Sequence, residues 1–142
     1  MYCTREDIFA NMDISHIQKF LKNANDGGNE WETRLDNLIQ SATLEIDGFV
    51  RNRYPVPLNP VPNFIKDICI RIVKYKIVMR RGFNKEAPEV AIVDDYKQCI
   101  KQLEKIATGE IDIGLEATKP QKVIYKTKKR TFDDDFWKGY WW

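Results

Sequence analysis

His16 is the single histidine in the chain, and a Ser/His or Cys/His nucleophilic couple would need it. Its surroundings, Ile14-Ser-His-Ile17, contain neither a nucleophile elbow nor a cysteine-protease context, so it reads as a surface residue on a short helix. Carboxylates cluster at Glu6–Asp7, Asp94–Asp95 and Asp133–Asp135. Neighbouring side chains on a helix point about 100° apart and do not converge on one cation. Glu6–Asp7 is therefore first-turn charge and Asp94–Asp95 solvated surface, while Asp133–Asp135 is placed to pair with Lys128–Arg130 rather than with a metal. Cys3, Cys69 and Cys99 are odd in number and far apart, without metal-ligand spacing. They read as reduced thiols in a cytosolic setting, with Cys69 and Cys99 acting as small hydrophobes. Gly27-Gly28 follows no strand and lacks the lysine of a phosphate loop. No cofactor, metal or enzymatic chemistry is expected.

The strongest candidate for binding is the carboxyl-terminal stretch. Between Lys119 and Arg130 there are six Lys/Arg and no acid, so the rest of the chain is slightly acidic despite a formal net charge of +2. Lys126, Lys128, Lys129 and Arg130 could track a phosphate backbone or an acidic protein surface. Phe132, Phe136, Trp137, Tyr140, Trp141 and Trp142 follow, an unusual concentration of aromatic rings for a terminus. Rings next to basic residues can stack on bases or insert into a partner protein, and protein is the expected partner.

The elements that position these residues are helical. Thr4 with Asp7 forms a capping-box pattern for a short helix to about Asn11, and Asp13 can cap a second carrying Ile14, Ile17, Phe20 and Leu21. After the loop Asn23–Asn29, a second capping box at Asn29 and Glu32 opens a long helix. Its stripe is Leu35, Leu38, Ile39, Ala42, Ile46, Phe49 and Val50. Gly48 inside it costs about 1 kcal/mol relative to alanine, which predicts close packing of another backbone there. The helix must stop near Arg53, because Tyr54 precedes Pro55 and prolines recur at 57, 60 and 62. A stiff, extended connector is expected, with Asp47, Arg51, Arg53, Tyr54, Pro55 and Pro57 tying the helix end to the proline loop.

Asn63 is placed to cap the next helix. Ile65, Ile68, Cys69, Ile72, Tyr75, Lys76 and Met79 make one face, and Ile70, Val73 and Ile77 a second. A helix apolar over more than half its girth is either central to the fold or lends a face to a neighbouring subunit. Gly82 is a natural stop. A last long helix from about Pro88 carries Val93, Tyr96, Ile100, Leu103 and Ala107 to Gly109, and Glu110–Leu115 could add a short strand. The fold class is thus mostly α: two short and three long helices in residues 1–115, followed by an extended basic and aromatic tail, 116–142. Within the tail, Lys122-Val-Ile-Tyr125 has strand propensity.

The composition agrees with an ordinary globular domain: 142 residues, 43% hydrophobic and 31% charged. The opening MYCTREDIF has no apolar stretch of a signal peptide, and no window approaches a membrane-spanning helix, so a cytoplasmic protein without membrane contact is expected.

Tyr2-Cys-Thr-x-Glu-Asp-Ile8, Ala42-x-x-Glu-Ile-Asp-Gly48 and Arg53-Tyr-Pro-x-Pro-Leu58 occur in that order. Val61-Pro62, Ile72-x-x-Tyr75, Tyr96 with Leu103-x-x-Ile-Ala-x-Gly109, and Arg130-x-Phe with Lys138-Gly-Tyr140 follow them. Together they resemble the Mu-like prophage gp36 family. The resemblance implies a phage or prophage virion structural protein of the head–tail connector (adaptor) class. Such a subunit self-associates as a homo-oligomeric ring under the portal protein, around the double-stranded DNA channel, and meets a neck or tail component. It would be made in the host bacterial cytoplasm and end in the virion neck, with non-specific DNA contact through the tail. The alternative reading is a nucleic-acid-binding accessory protein that uses the same basic tail.

Overall fold

An all-round apolar helix is stable only where other elements surround it, and the architecture is built on that requirement. The computed structural model describes residues 1–81 and 89–115, in which there are five helices and no strand. They are α1 (Arg5–Asn11), α2 (Ile14–Leu21), α3 (Glu30–Val50), α4 (Asn63–Met79) and α5 (Glu89–Thr108). Helix α4 packs against all four others. Ile65, Ile68, Cys69 and Ile72 are buried on it, and so are Ile70, Val73, Ile77 and Val78. Its two apolar faces are therefore covered within the chain, and α4 is the centre of the fold.

Helix α3 buries Trp31, Leu35, Ile39, Ala42, Ile46 and Val50 against this centre. Trp31, one turn before the expected stripe, joins it because its ring meets Phe9 of α1 at 6.2 Å between centroids. On α5 the buried residues are Cys99, Leu103 and Ile106, whereas Val93, Tyr96, Ile100 and Ala107 are only half-buried. Leu103 of the expected stripe is thus at the centre of the inward face and its other members lie along the edge, with Cys99 and Ile106 completing the buried side toward α3 and α4.

The helix ends separate local from tertiary causes. The Thr4 hydroxyl accepts from the Asp7 N–H at 3.3 Å, and the Thr4 N–H donates to the Asp7 carboxylate at 2.9 Å, a complete capping box. Asp13 caps α2 by accepting from the Ser15 N–H at 3.3 Å. Asn29 stands at the N-cap of α3 but makes no capping bond, because Glu32 pairs with Arg5 at 2.9 Å instead of reaching back. Asn63 is also no cap: Pro62, extended at φ −63°, occupies that position and Asn63 begins the helix. At the far end of α5, Gly109 takes a left-handed φ of 90°. Its N–H donates to Ile106 O at 3.2 Å and the Glu110 N–H to Lys105 O at 2.9 Å, a Schellman stop that requires glycine. The strand expected at Glu110–Leu115 does not form. The Ile111 N–H also turns back to Lys105 O, and Ile113 is buried rather than paired in a ladder. Gly82, Pro88 and the whole tail 116–142, including Lys122–Tyr125, lie outside the described residues.

Gly48 corrects a further expectation. It is exposed on α3, and a Cβ added there would meet nothing within 4 Å. Among the described residues, no backbone needs the space. Gly48→Ala should therefore raise the unfolding free energy of the isolated protein by about 1 kcal/mol through helix propensity alone. Urea denaturation checks this, with an unchanged m-value as the sign that only the folded helix was affected.

Candidate functional site

Helix α3 ends at Val50, and the backbone continues through two further bonds to its carbonyl, from the Arg53 N–H at 3.0 Å and the Tyr54 N–H at 2.9 Å. The following proline segment is bent rather than extended. The peptides Val56–Pro57 and Asn59–Pro60 are cis, Pro55 and Pro57 are exposed, and Leu58 is buried between them. Leu58 is drawn inward because its N–H donates to the Tyr2 hydroxyl at 3.0 Å, while that hydroxyl donates to the Asp47 carboxylate. Asp47 thus reaches the proline loop through a third residue at the other end of the chain. The Tyr2 N–H donates in turn to the Thr43 hydroxyl at 3.3 Å, one turn earlier on α3.

Tyr54 makes the matching tie on the other side. It is buried, and its hydroxyl donates to Asp112 at 3.2 Å and accepts from the Ile113 N–H at 3.5 Å. The Gly114 N–H, the Tyr54 hydroxyl and the Arg53 charge hold the Asp112 carboxyl below its ordinary range. The Arg53 guanidinium lies 5.5 Å from the centroid of the Tyr54 ring, within cation–π reach. Arg51 is exposed and turns back to Asp47 O at 3.4 Å. The loop is therefore gripped from both ends of the described chain, and its tip is presented to solvent.

Beside this clasp, α3 and α5 leave an open groove of about 580 Å³. Phe49, Tyr96 and Ile100 give it apolar walls, and Glu45, Lys97, Lys101 and Glu104 contribute charge. Its base is held by a polar knot. Glu45 accepts from the Tyr96 hydroxyl at 2.7 Å and pairs with Lys76 at 3.2 Å, and the Tyr75 and Tyr96 rings stack at 3.8 Å. Burial and the Glu45 carboxylate push the Tyr96 hydroxyl up, so it stays a donor at neutral pH. Leu44 projects from α3 and is 56% exposed.

At the opposite end, three arginines gather on the last carbonyls of α2, where the helix dipole favours positive charge. Arg80 donates to Leu21 O at 2.6 Å, Arg81 to Phe20 O at 3.1 Å and Arg34 to Leu21 O at 2.9 Å. Arg34 also pairs with Asp26, which holds that carboxyl down to about 2.

His16 is exposed, as are Asp94 and Asp95, and Asp7 is engaged in its cap. Among the described residues, no group of acids, cysteines and histidine is placed to hold a metal. Lys126, Lys128, Lys129, Arg130, Phe132, Phe136, Trp137, Tyr140, Trp141 and Trp142 lie outside the described residues, as does Asp133–Asp135. Sequence reasoning missed Tyr2, Asp112 and the arginine cluster, whose partners are distant in the chain. It also missed that Cys3 and Cys69 meet. A tyrosine next to an otherwise polar N-cap was the one local hint of the clasp.

Removing the Tyr2 hydroxyl leaves the buried Leu58 N–H without its acceptor, so Tyr2→Phe should cost about 1–3 kcal/mol in urea denaturation. Burial, then the bond to Asp47, pushes the Tyr2 hydroxyl up to about 12. An unfolded tyrosine titrates near 10, so this stabilisation is complete below about pH 10 and lost as pH rises through about 12. The alkaline decline should be shallower in Tyr2→Phe than in the natural chain. Equal declines in both would assign the alkaline sensitivity to other groups.

The sequence profile of the family described as Bacteriophage Mu, Gp36 matches residues 2–128. Among individual relatives, the Mu-like prophage FluMu protein gp36 of Haemophilus influenzae is 30% identical over 84 residues, 59% of this chain. That match spans 55% of the relative, about half its length. Gene product J of Escherichia phage Mu is 22% identical over 116 residues, 82% of this chain and 78% of its own. No helix among the described residues is long and apolar enough to cross a membrane. With a profile match that runs from the Tyr2 clasp through α5 and into the basic tail, the chain belongs to the bacteriophage Mu Gp36 family.

Proposed function

We propose that this protein is a virion structural subunit, a head–tail connector (adaptor) that self-associates into a ring beneath the phage portal protein and around the DNA channel. The observation that carries this reading is the uncovered apolar surface beside α3 and α5. Phe49, Tyr96 and Ile100 supply apolar area, with Glu45, Lys97, Lys101 and Glu104 next to it, and Leu44 adds an exposed apolar side chain on the neighbouring face of α3. An apolar centre with charges around it is the anatomy of a protein–protein patch. A ring needs two different faces that meet head to tail and close. The exposed Val56 and Phe64, on the proline loop and the first turn of α4, are the candidates for the second face. Gly48, four residues from Leu44, leaves room for a close approach that none of the described residues makes.

Membership of a Mu phage family supports the virion setting. In this reading the protein is made in the host bacterial cytoplasm and then held at the neck of the particle. Its basic and aromatic tail, from Lys126 to Trp142, docks on the portal or on the next neck or tail component. The role is non-enzymatic. A second reading, nucleic-acid binding through the tail, draws on the run Lys126-Thr-Lys-Lys-Arg130. Its signature would be DNA retention that falls steeply as salt rises.

Light-scattering mass separates the two. Mixed with the portal assembly of the same phage, the full chain should form a saturable complex with portal symmetry, and Leu44→Glu should weaken it while leaving the helical circular dichroism unchanged. A persistent monomer at every ratio, together with salt-sensitive DNA retention, would overturn the connector reading in favour of the second.

A further inference from the structure

Cys3 and Cys69, 66 positions apart in the chain, place their sulfurs 3.1 Å from each other inside the core. Both are free thiols and both are buried. The approach is enforced from each side. Cys3 lies between Tyr2, held by Thr43, Asp47 and Leu58, and Thr4, the N-cap of α1. Cys69 lies on the inward side of the central helix, where Ile65 and Ile72 bury the neighbouring turns. Neither sulfur has much freedom to move away, and a closure of about 1 Å would reach the bond length of a disulfide.

We propose that Cys3 and Cys69 form a redox-closed staple, open in a thiol-rich cytoplasm and closed by a hydroperoxide once the protein leaves it. This inference is independent of the connector reading. The pair is chemically asymmetric. Either thiol can donate across this contact; with Cys3 as the donor, the bond favours the Cys69 thiolate, while that same bond and burial push the Cys3 thiol up. Cys69 is accordingly the attacking sulfur. Its thiolate displaces hydroxide from the peroxide O–O bond and becomes a sulfenic acid. The Cys3 sulfur then attacks the Cys69 sulfur, forming the S–S bond and releasing water. The proton lost by Cys69 joins the hydroxide as a second water, so two thiols and one peroxide give one disulfide and two waters. Short-lived local opening admits the oxidant, since parts of a fold open without global unfolding. Cys99 is buried on α5, away from this pair, and is an internal control.

The full chain, fully reduced and then treated with a slight excess of hydrogen peroxide, should lose about 2 Da, two hydrogens. A non-reducing peptide map should join the Cys3 peptide to the Cys69 peptide and leave Cys99 alkylatable. The thermal midpoint should rise by about 10 °C, since the cross-link closes a long loop, and dithiothreitol should reverse it. Cys99→Ser should retain all of these changes, and Cys3→Ser should lose them. Three thiols still titrating after unfolding, sulfinic acid at either residue, a cross-link that includes Cys99, or an unchanged midpoint would overturn the proposal. These readouts on the natural chain and on Cys99→Ser keep the test decisive even if Cys3→Ser fails to fold.

Discussion

Burying α4 over most of its girth is the constraint that organises this protein. A helix with Ile65, Ile68, Ile70, Ile72, Val73 and Ile77 spread around its girth cannot sit at a surface. Among the described residues the other four helices supply the cover, and each touches it. That arrangement also determines how the termini behave. The residues before α1 are drawn onto α4 and α3, which brings Tyr2 to Asp47 and Cys3 to Cys69. The turn after α5 is drawn onto Tyr54.

Polar groups then finish what apolar burial begins. The backbone around a proline-rich loop lacks donors, and those it has must find partners if they are covered. Here the Leu58 N–H finds the Tyr2 hydroxyl, and the Ile113 N–H finds that of Tyr54. Two tyrosines thus convert a bent loop into a held one, with its prolines outward. At the other pole, Arg34, Arg80 and Arg81 neutralise the carbonyl end of α2 and join it to the ends of α4 and the loop before α3. Arg5 performs a similar service nearer the clasp, bonded to Asp36 at 2.7 Å and to Glu32, and so joins α1 to α3. These ion pairs are partly exposed and individually weak; their effect is to define how the helices sit.

What the fold leaves uncovered is confined to particular edges. The outer side of α5, with Tyr96 and Ile100, and the side of α3 that carries Glu45 and Phe49 leave a groove open between them among the described residues. The Glu45–Tyr96–Lys76 knot beneath that groove holds its walls apart at a definite spacing. The groove combines the apolar side chains of Phe49, Tyr96 and Ile100 with the charged Glu45, Lys97, Lys101 and Glu104.

The sequence by itself determined the five helices, the Thr4–Asp7 capping box, the stops that rest on near neighbours, and the two-sided character of α4. These follow from a period of 3.6 residues and from bonds spanning three or four positions, all of which are local. Gly109 was legible as a stop for the same reason. Asn29 takes the expected N-cap place without a capping bond while Glu32 pairs with Arg5, and the N-cap of α4 is Pro62 rather than Asn63. Only the tertiary structure decided that Gly48 faces open space, that Asp47 acts through Tyr2, and that two thiols 66 positions apart lie in contact. Those facts depend on which helix faces meet and at what angle. Helix crossing is a property of whole packed surfaces, and no short stretch of residues encodes it.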